Sequence, residues 1–253
     1  MLGLVQGLTE FLPVSSSGHL VLVGAALGAE QEGILFEVAV HAATLLAVLV
    51  FYRARVAGLV SGALRGDADA WRYGLKLGVA TLPAVVAVVA ARGFFEELYE
   101  SIAPVGLALC VTGMLVYSTR WTLPQAHREE PGWGAALLIG VAQAVAIVPG
   151  ISRSGATVSA ALALGVAPAA AAEFSFLMSV IAILGAVVLQ IPELGSVSSE
   201  GLWAIGVGGV VALASGLAAL ALFVRMLRSQ AFHRFAWYAW PLGVLVLVWS
   251  QIG

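Results

Sequence analysis

Residues 149–155 read Pro149-Gly150-Ile151-Ser152-Arg153-Ser154-Gly155, in the middle of an apolar region, 132–172. Proline and glycine punctuate a helix, and hydroxyls beside a guanidinium do not face lipid. The chain nevertheless enters and leaves this region on one side. The segment before it, 120–130, carries Arg120 and Arg128, and the apolar run after it starts at about 173. Two full crossings or a re-entrant hairpin would satisfy that geometry. The motif is a poor solution for a loop reaching open water, so a hairpin bending at membrane depth is the reading adopted.

Moving outward, a related stretch lies 137 residues earlier. Gly3, Gln6, Ser15, Ser17 and Gly18 align with Gly140, Gln143, Ser152, Ser154 and Gly155. Each copy is followed by apolar runs long enough to cross a bilayer, about 20 residues: 34–52, 73–91 and 101–119 after the first, 174–192, 201–224 and 235–253 after the second. Nine of the twelve basic residues fall in 53–72, 120–130 and 225–234, while 29–33, 92–100 and 193–200 are acidic. The positive-inside rule places the first set in the cytoplasm and the second outside, which gives the copies opposite orientations. The predicted fold is an all-α polytopic membrane domain: an inverted repeat of a re-entrant hairpin plus three transmembrane helices, with repeat one at 1–119, a cytoplasmic linker at 120–131 and repeat two at 132–253.

Composition agrees. Of 253 residues, 61% are hydrophobic and 10% charged, and the mean hydropathy is +1.01. A soluble domain carries about 25% charged residues. The net charge of −2 and the single Lys76 leave no basic stripe for nucleic acid. A lone Cys110 permits no intrachain disulfide or cysteine metal cluster. The first apolar run has no basic n-region and is interrupted by Glu10 and His19, unlike a signal peptide.

Ionisable residues at membrane depth concentrate around the two bends: Glu10, His19, Glu37, His41, Arg153 and Glu173. Such residues face a cavity and one another. Glu10, Ser15, Ser16, Ser17 and His19 at the first bend, with Ser152, Arg153, Ser154 and Thr157 at the second, suit a polyanion such as phosphate. A carboxylate beside phosphate makes sense as a divalent-cation ligand or as a base. Serine beside His and Glu is the inventory of an activated nucleophile. His41 reads as an interior histidine, Lys76, His127 and His233 as interfacial, and Trp237, Tyr238 and Trp240 as an aromatic belt.

The runs Gln6-Gly-Leu-Thr-Glu10-Phe-Leu-Pro-Val-Ser15-Ser16-Ser17-Gly18-His19 and Pro149-Gly-Ile-Ser-Arg153-Ser-Gly-Ala-Thr157, with Phe36-Glu37-Val38 and Ala172-Glu173-Phe174, resemble the signature motifs of the bacterial undecaprenyl-diphosphate phosphatase (bacitracin-resistance) family. The resemblance implies a plasma-membrane enzyme of the bacterial inner membrane. It would hydrolyse the C55 isoprenoid diphosphate carrier to its monophosphate for reuse in cell-wall synthesis. It also implies a divalent metal ion, Mg²⁺ or Ca²⁺, at Glu10. Catalytic residues would be Glu10, Ser16, His19 and Arg153; phosphate-binding residues Ser15, Ser17, Ser152, Ser154 and Thr157; and supporting residues Gln6, Glu37 and Glu173. Ser16 is the expected nucleophile, His19 its base or the leaving-group acid, and Arg153 the neutraliser of phosphoryl charge. Loop signs point the site outward. The rival reading is a transporter-like flippase of a polyprenyl phosphate. The small-residue stripe Gly206, Gly208, Gly209, Ala212, Ser215 and Gly216 allows close helix packing, within a monomer or across a homodimer.

Overall fold

The computed structural model describes residues 1–27, 34–99, 102–190 and 199–251. Most of the acidic loop positions read above, Glu30, Glu32, Glu100 and Glu193 among them, lie outside the described residues. Eleven α-helices carry the described chain. Two pairs of short helices flank the two bends: α1 Leu2–Phe11 with α2 Ser16–Leu27, and α7 Trp133–Val145 with α8 Arg153–Ala163. The others are α3 Ile34–Phe51, α4 Arg53–Leu64, α5 Ala68–Tyr99, α6 Ile102–Thr122, α9 Pro168–Gln190, α10 Ser199–Arg228 and α11 Ala236–Trp249.

By length and composition four helices can cross a bilayer: Ala68–Ala91, Ile102–Gln125, Pro168–Gly185 and Ile205–Arg228. The bent pair Val38–Phe51 and Arg53–Leu64 makes a possible fifth. The sequence predicts six. The difference arises at the two remaining crossings. Helix α11 has only 14 residues, with Pro241 inside it. Beyond α3 the chain turns by 79° into α4, so the Arg-rich segment read as loop 53–72 is largely helical. Val56 and Leu59 of α4 pack against the core while Leu64 is exposed.

Exposed apolar side chains lie along the four candidate spans, among them Leu75, Val86, Val89, Leu107, Met114 and Val210, as a lipid-facing surface requires. The core is a contiguous cluster that includes Phe11, Phe174, Phe176, Phe223 and Phe232. Phe176 joins two of these rings, with centroids 5.6 Å from Phe11 and 4.9 Å from Phe223. Phe11 is therefore anchored directly beside Glu10.

Close helix contacts depend on absent side chains. A Cβ on Gly3 of α1 would collide with the Gly208 carbonyl of α10, and one on Gly140 of α7 with the Ala80 carbonyl of α5. Gly106 of α6 and Gly243 of α11 meet each other. The small-residue stripe of α10 is used inside the monomer: Gly208 faces the Phe36 ring, Ala212 and Ser215 face Gly7, and Gly216 faces Phe11 and Ala47.

Candidate active site

Both bends are built on the same local device. Ser152 caps α8, its Oγ accepting from the Gly155 N–H at 3.1 Å. Ser15 does the same for α2, accepting from the Gly18 N–H at 3.2 Å. Each capping serine also contacts the hydroxyl two residues on, Ser15 with Ser17 at 3.3 Å and Ser152 with Ser154 at 3.2 Å. Capping satisfies N–H groups that lipid cannot.

The bends also hold each other. Ser15 Oγ accepts a second hydrogen bond, from the Gly150 N–H at 3.2 Å. Ser15 takes a φ of 69° to do so, and Gly150 a φ of 98°. The left-handed conformation is routine for glycine but strained for serine. Thr112 of α6 latches the second bend, donating to the Gly150 carbonyl at 2.8 Å and accepting from the Ser152 N–H at 2.9 Å.

A cavity of about 320 Å³ opens between the bends, lined on one side by Thr9, Glu10, Ser15, Ser16, Ser17 and His41 and on the other by Ile151, Ser152 and Arg153. Ala182, Ile183 and Val187 of α9 add an apolar wall. Glu10 is buried and stands at the centre of the contacts. One of its oxygens receives Arg153 Nη2 from the opposite bend. The other receives the Ser16 hydroxyl at 2.8 Å and the Gln6 amide at 3.0 Å. The second amide hydrogen of Gln6 is available to His41 Nε2, 3.3 Å away.

Seven of the expected site residues thus meet in one place: Gln6, Glu10, Ser15, Ser16, Ser17, Ser152 and Arg153. The others stand elsewhere. Ser154 and Thr157 are buried outside the cavity lining, and Thr157 donates to the Arg153 carbonyl at 2.7 Å and contacts Ser175. His19 is outside the cavity lining, and both of its ring nitrogens are engaged by groups other than Ser16. Its Nδ1 donates to the Ser15 carbonyl at 2.7 Å, which leaves neutral Nε2 to accept from the Tyr238 hydroxyl at 2.7 Å. Glu173 lies outside the cavity lining, held by Arg55 at 2.8 Å and by the Tyr73 hydroxyl at 3.3 Å. Lys76 is buried and pairs with Glu130 at 3.2 Å. The side chain of Glu37 lies outside the described residues.

Two site residues escaped the sequence reading. His41 lines the cavity, and its signal was present: it lies one turn after Glu37 at membrane depth. Tyr238 reaches His19 across 219 residues of sequence, a pairing that no local pattern reveals.

A hard divalent cation takes oxygen ligands. The oxygens that fit are the Glu10 carboxylate and the buried Gln6 Oε1, which has no hydrogen-bond partner among the described residues. No group of three His, Cys, Asp or Glu side chains suited to a metal occurs among the described residues.

Comparison with known proteins matches residues 1–245 to the family described as bacitracin resistance protein BacA. The chain is 36% identical to the undecaprenyl-diphosphatase of Desulfatibacillum aliphaticivorans, over 98% of this chain and 96% of that one. It is 39% identical to that of Alcanivorax borkumensis, over 98% and 97%, and 40% identical to that of Rhodopirellula baltica, over 98% and 95%. A likeness that spans both bends and every crossing between them makes this chain a member of the bacitracin resistance protein BacA family.

Proposed function

We propose that the cavity between the two bends is where the terminal phosphate of a lipid diphosphate is removed. The chain is an undecaprenyl-diphosphate phosphatase of the membrane. It hydrolyses the diphosphate to undecaprenyl monophosphate and inorganic phosphate, returning the carrier to cell-wall synthesis. The observation that carries the mechanism is the Ser16–Glu10–Arg153 arrangement: hydroxyl, carboxylate and guanidinium in series, drawn from both bends.

Ser16 Oγ attacks the terminal phosphorus, and its proton passes to Glu10 Oε2, already 2.8 Å away. The bridging P–O bond breaks and its electron pair leaves on the lipid monophosphate. Arg153, at the N-terminus of α8, neutralises charge on the phosphoryl oxygens with its planar fork. Water then attacks the phosphoserine, releasing inorganic phosphate and returning the proton to Ser16. Glu10 and Gln6 would hold a divalent cation, which when bound supplies further neutralisation of the diphosphate. His19 acts by fixing the Ser15 carbonyl, and with it the turn that presents Ser16. The transporter reading leaves the Ser16–Glu10 contact without a use, and the curated relatives carry a hydrolase's name.

We read the architecture as two inverted copies. Gly3 under Gly208 and Gly140 under Ala80 are corresponding contacts. Gly106 and Gly243, which meet each other, stand 137 residues apart, as the two motifs do. The loop charges support a site facing the outer side of the plasma membrane. Any homodimer would use a face other than the stripe of α10.

The test is phosphate release from undecaprenyl diphosphate in detergent, with and without EDTA, for wild type, Ser16→Ala and Arg153→Ala. Metal-dependent release that collapses in both variants is expected. Full release by Ser16→Ala would remove the serine nucleophile in favour of direct attack by water.

A further inference from the structure

A second cavity, of about 710 Å³, lies where the corner between α3 and α4 meets the start of α9 and the end of α10. It shares no residue with the catalytic cavity. Its polar wall includes Tyr52, Glu173, Arg225 and Arg228, and its apolar wall includes Phe51 and Val224. The charge on this wall is unbalanced. Glu173 is already held by Arg55 Nε at 2.8 Å and by the Tyr73 hydroxyl. Neither Arg225 nor Arg228 has a carboxylate partner among the described residues.

The two arginines lie three apart on the last turn of α10 and share a face. The helix dipole favours cations at a C-terminus, which accounts for basic residues there but not for an adjoining apolar recess. Two unpaired guanidinium forks beside an apolar wall, at the end of a membrane-crossing helix, match a phosphate carried on a hydrocarbon chain. The forks can bind phosphate oxygens in bidentate fashion. The apolar wall can accommodate the first carbons of such a chain, and basic recesses between transmembrane helices are known to hold lipid headgroups.

We propose that this cavity is a binding site for a lipid-borne phosphate, separate from the catalytic cavity, with Arg225 and Arg228 on the phosphate and the Phe51–Val224 wall on the chain. A phospholipid headgroup and a prenyl monophosphate share that chemistry. The proposal stands whether or not Ser16 is the nucleophile.

Native mass spectrometry of delipidated protein decides it, with phosphatidylglycerol, phosphatidylcholine of the same acyl chains, undecaprenyl phosphate and inorganic phosphate as probes. Phosphatidylglycerol should be retained several-fold more than phosphatidylcholine. The excess should vanish in Arg225→Gln/Arg228→Gln and persist in Arg225→Lys/Arg228→Lys, with phosphate release unchanged in both. Undecaprenyl phosphate should bind the glutamine variant in one copy fewer than wild type if it, too, is an occupant. An unchanged number of copies alongside arginine-dependent phosphatidylglycerol assigns the site to the phospholipid. If the double glutamine variant fails to elute as a single species, Arg228→Gln alone is read in the same way. Equal retention of the two phospholipids by wild type, or an undiminished excess in the glutamine variant, would overturn the proposal. So would an arginine effect confined to inorganic phosphate.

Discussion

The two bends share a frame and divide the chemistry. Ser15 and Ser152 cap their helices in the same way, and Ser17 and Ser154 repeat the same hydroxyl contact. At the next position of the shared alignment the side chains differ: Ser16 opens α2 and Arg153 opens α8. Glu10 corresponds to Ile147, and His19 to Ala156. Gln6 spends its amide on Glu10 and His41, whereas Gln143, its counterpart, is buried with neither amide atom partnered among the described residues. The two bends thus present the same serine cap twice, while the hydroxyl, carboxylate and guanidinium of the proposed mechanism occur only once between them.

The largest effect expected from breaking this division is at Ser16. Ser16→Ala should reduce phosphate release on the order of 10³-fold or more, since loss of a nucleophile removes the covalent route, while Ser17→Ala should retain most activity. Phosphorylated Ser16 trapped from wild type by rapid acid quench, and absent from Ser16→Ala, would sharpen the contrast. Arg153→Ala comes next. On the proposed mechanism it removes the charge that faces the phosphoryl group, costing about 10²–10³-fold in kcat, and it takes away the guanidinium that pairs with the buried Glu10. Arg153→Lys should recover only part of the loss, because an ammonium cannot reproduce the planar fork. Full activity in Arg153→Lys would mean that charge alone, not bidentate geometry, matters at the second bend.

A smaller effect distinguishes the caps themselves. Ser152→Ala should lower stability by about 1 kcal/mol, as loss of an N-cap does. Ser15→Ala should cost more, since Ser15 Oγ also accepts from Gly150 across the gap. Apparent Tm in detergent reads the order directly, and equal losses would show that the contact between the bends contributes nothing.

Much of this was legible in the sequence because the physics is local. Pro13 and Gly150 mark the breaks, hydropathy marks the apolar runs, and the serine caps recur at a fixed offset. What was not legible depends on distant partners. The Arg-rich segment 53–72 reads as a loop from its charge, yet α4 packs the half-buried Val56 and Leu59 against the core and sends Arg55 to Glu173. Glu173 follows the second bend in the chain, but it is drawn to Arg55 and Tyr73, which come from other helices. The resemblance makes His19 the base or leaving-group acid for Ser16, but its ring is hydrogen-bonded to the Ser15 carbonyl and to Tyr238, a residue that reads as an interfacial aromatic.

The last contrast is between the two glutamines. Gln143 is 3% exposed, and a buried amide without partners forfeits about 1–3 kcal/mol of desolvation energy. Met is close to Gln in shape and carries no strong polar group. Gln143→Met should therefore raise the apparent Tm by a few degrees while leaving phosphate release intact. The same change at Gln6 should act in the opposite sense on function. It removes the donor to Glu10 at 3.0 Å, and loss of a hydrogen bond to a charged group, about 1.5–3 kcal/mol, lowers kcat about tenfold or more by letting the carboxylate shift from Ser16. If Gln143→Met instead lowered activity as Gln6→Met does, the second bend would hold working polar chemistry of its own, and the division of labour between the bends would fail.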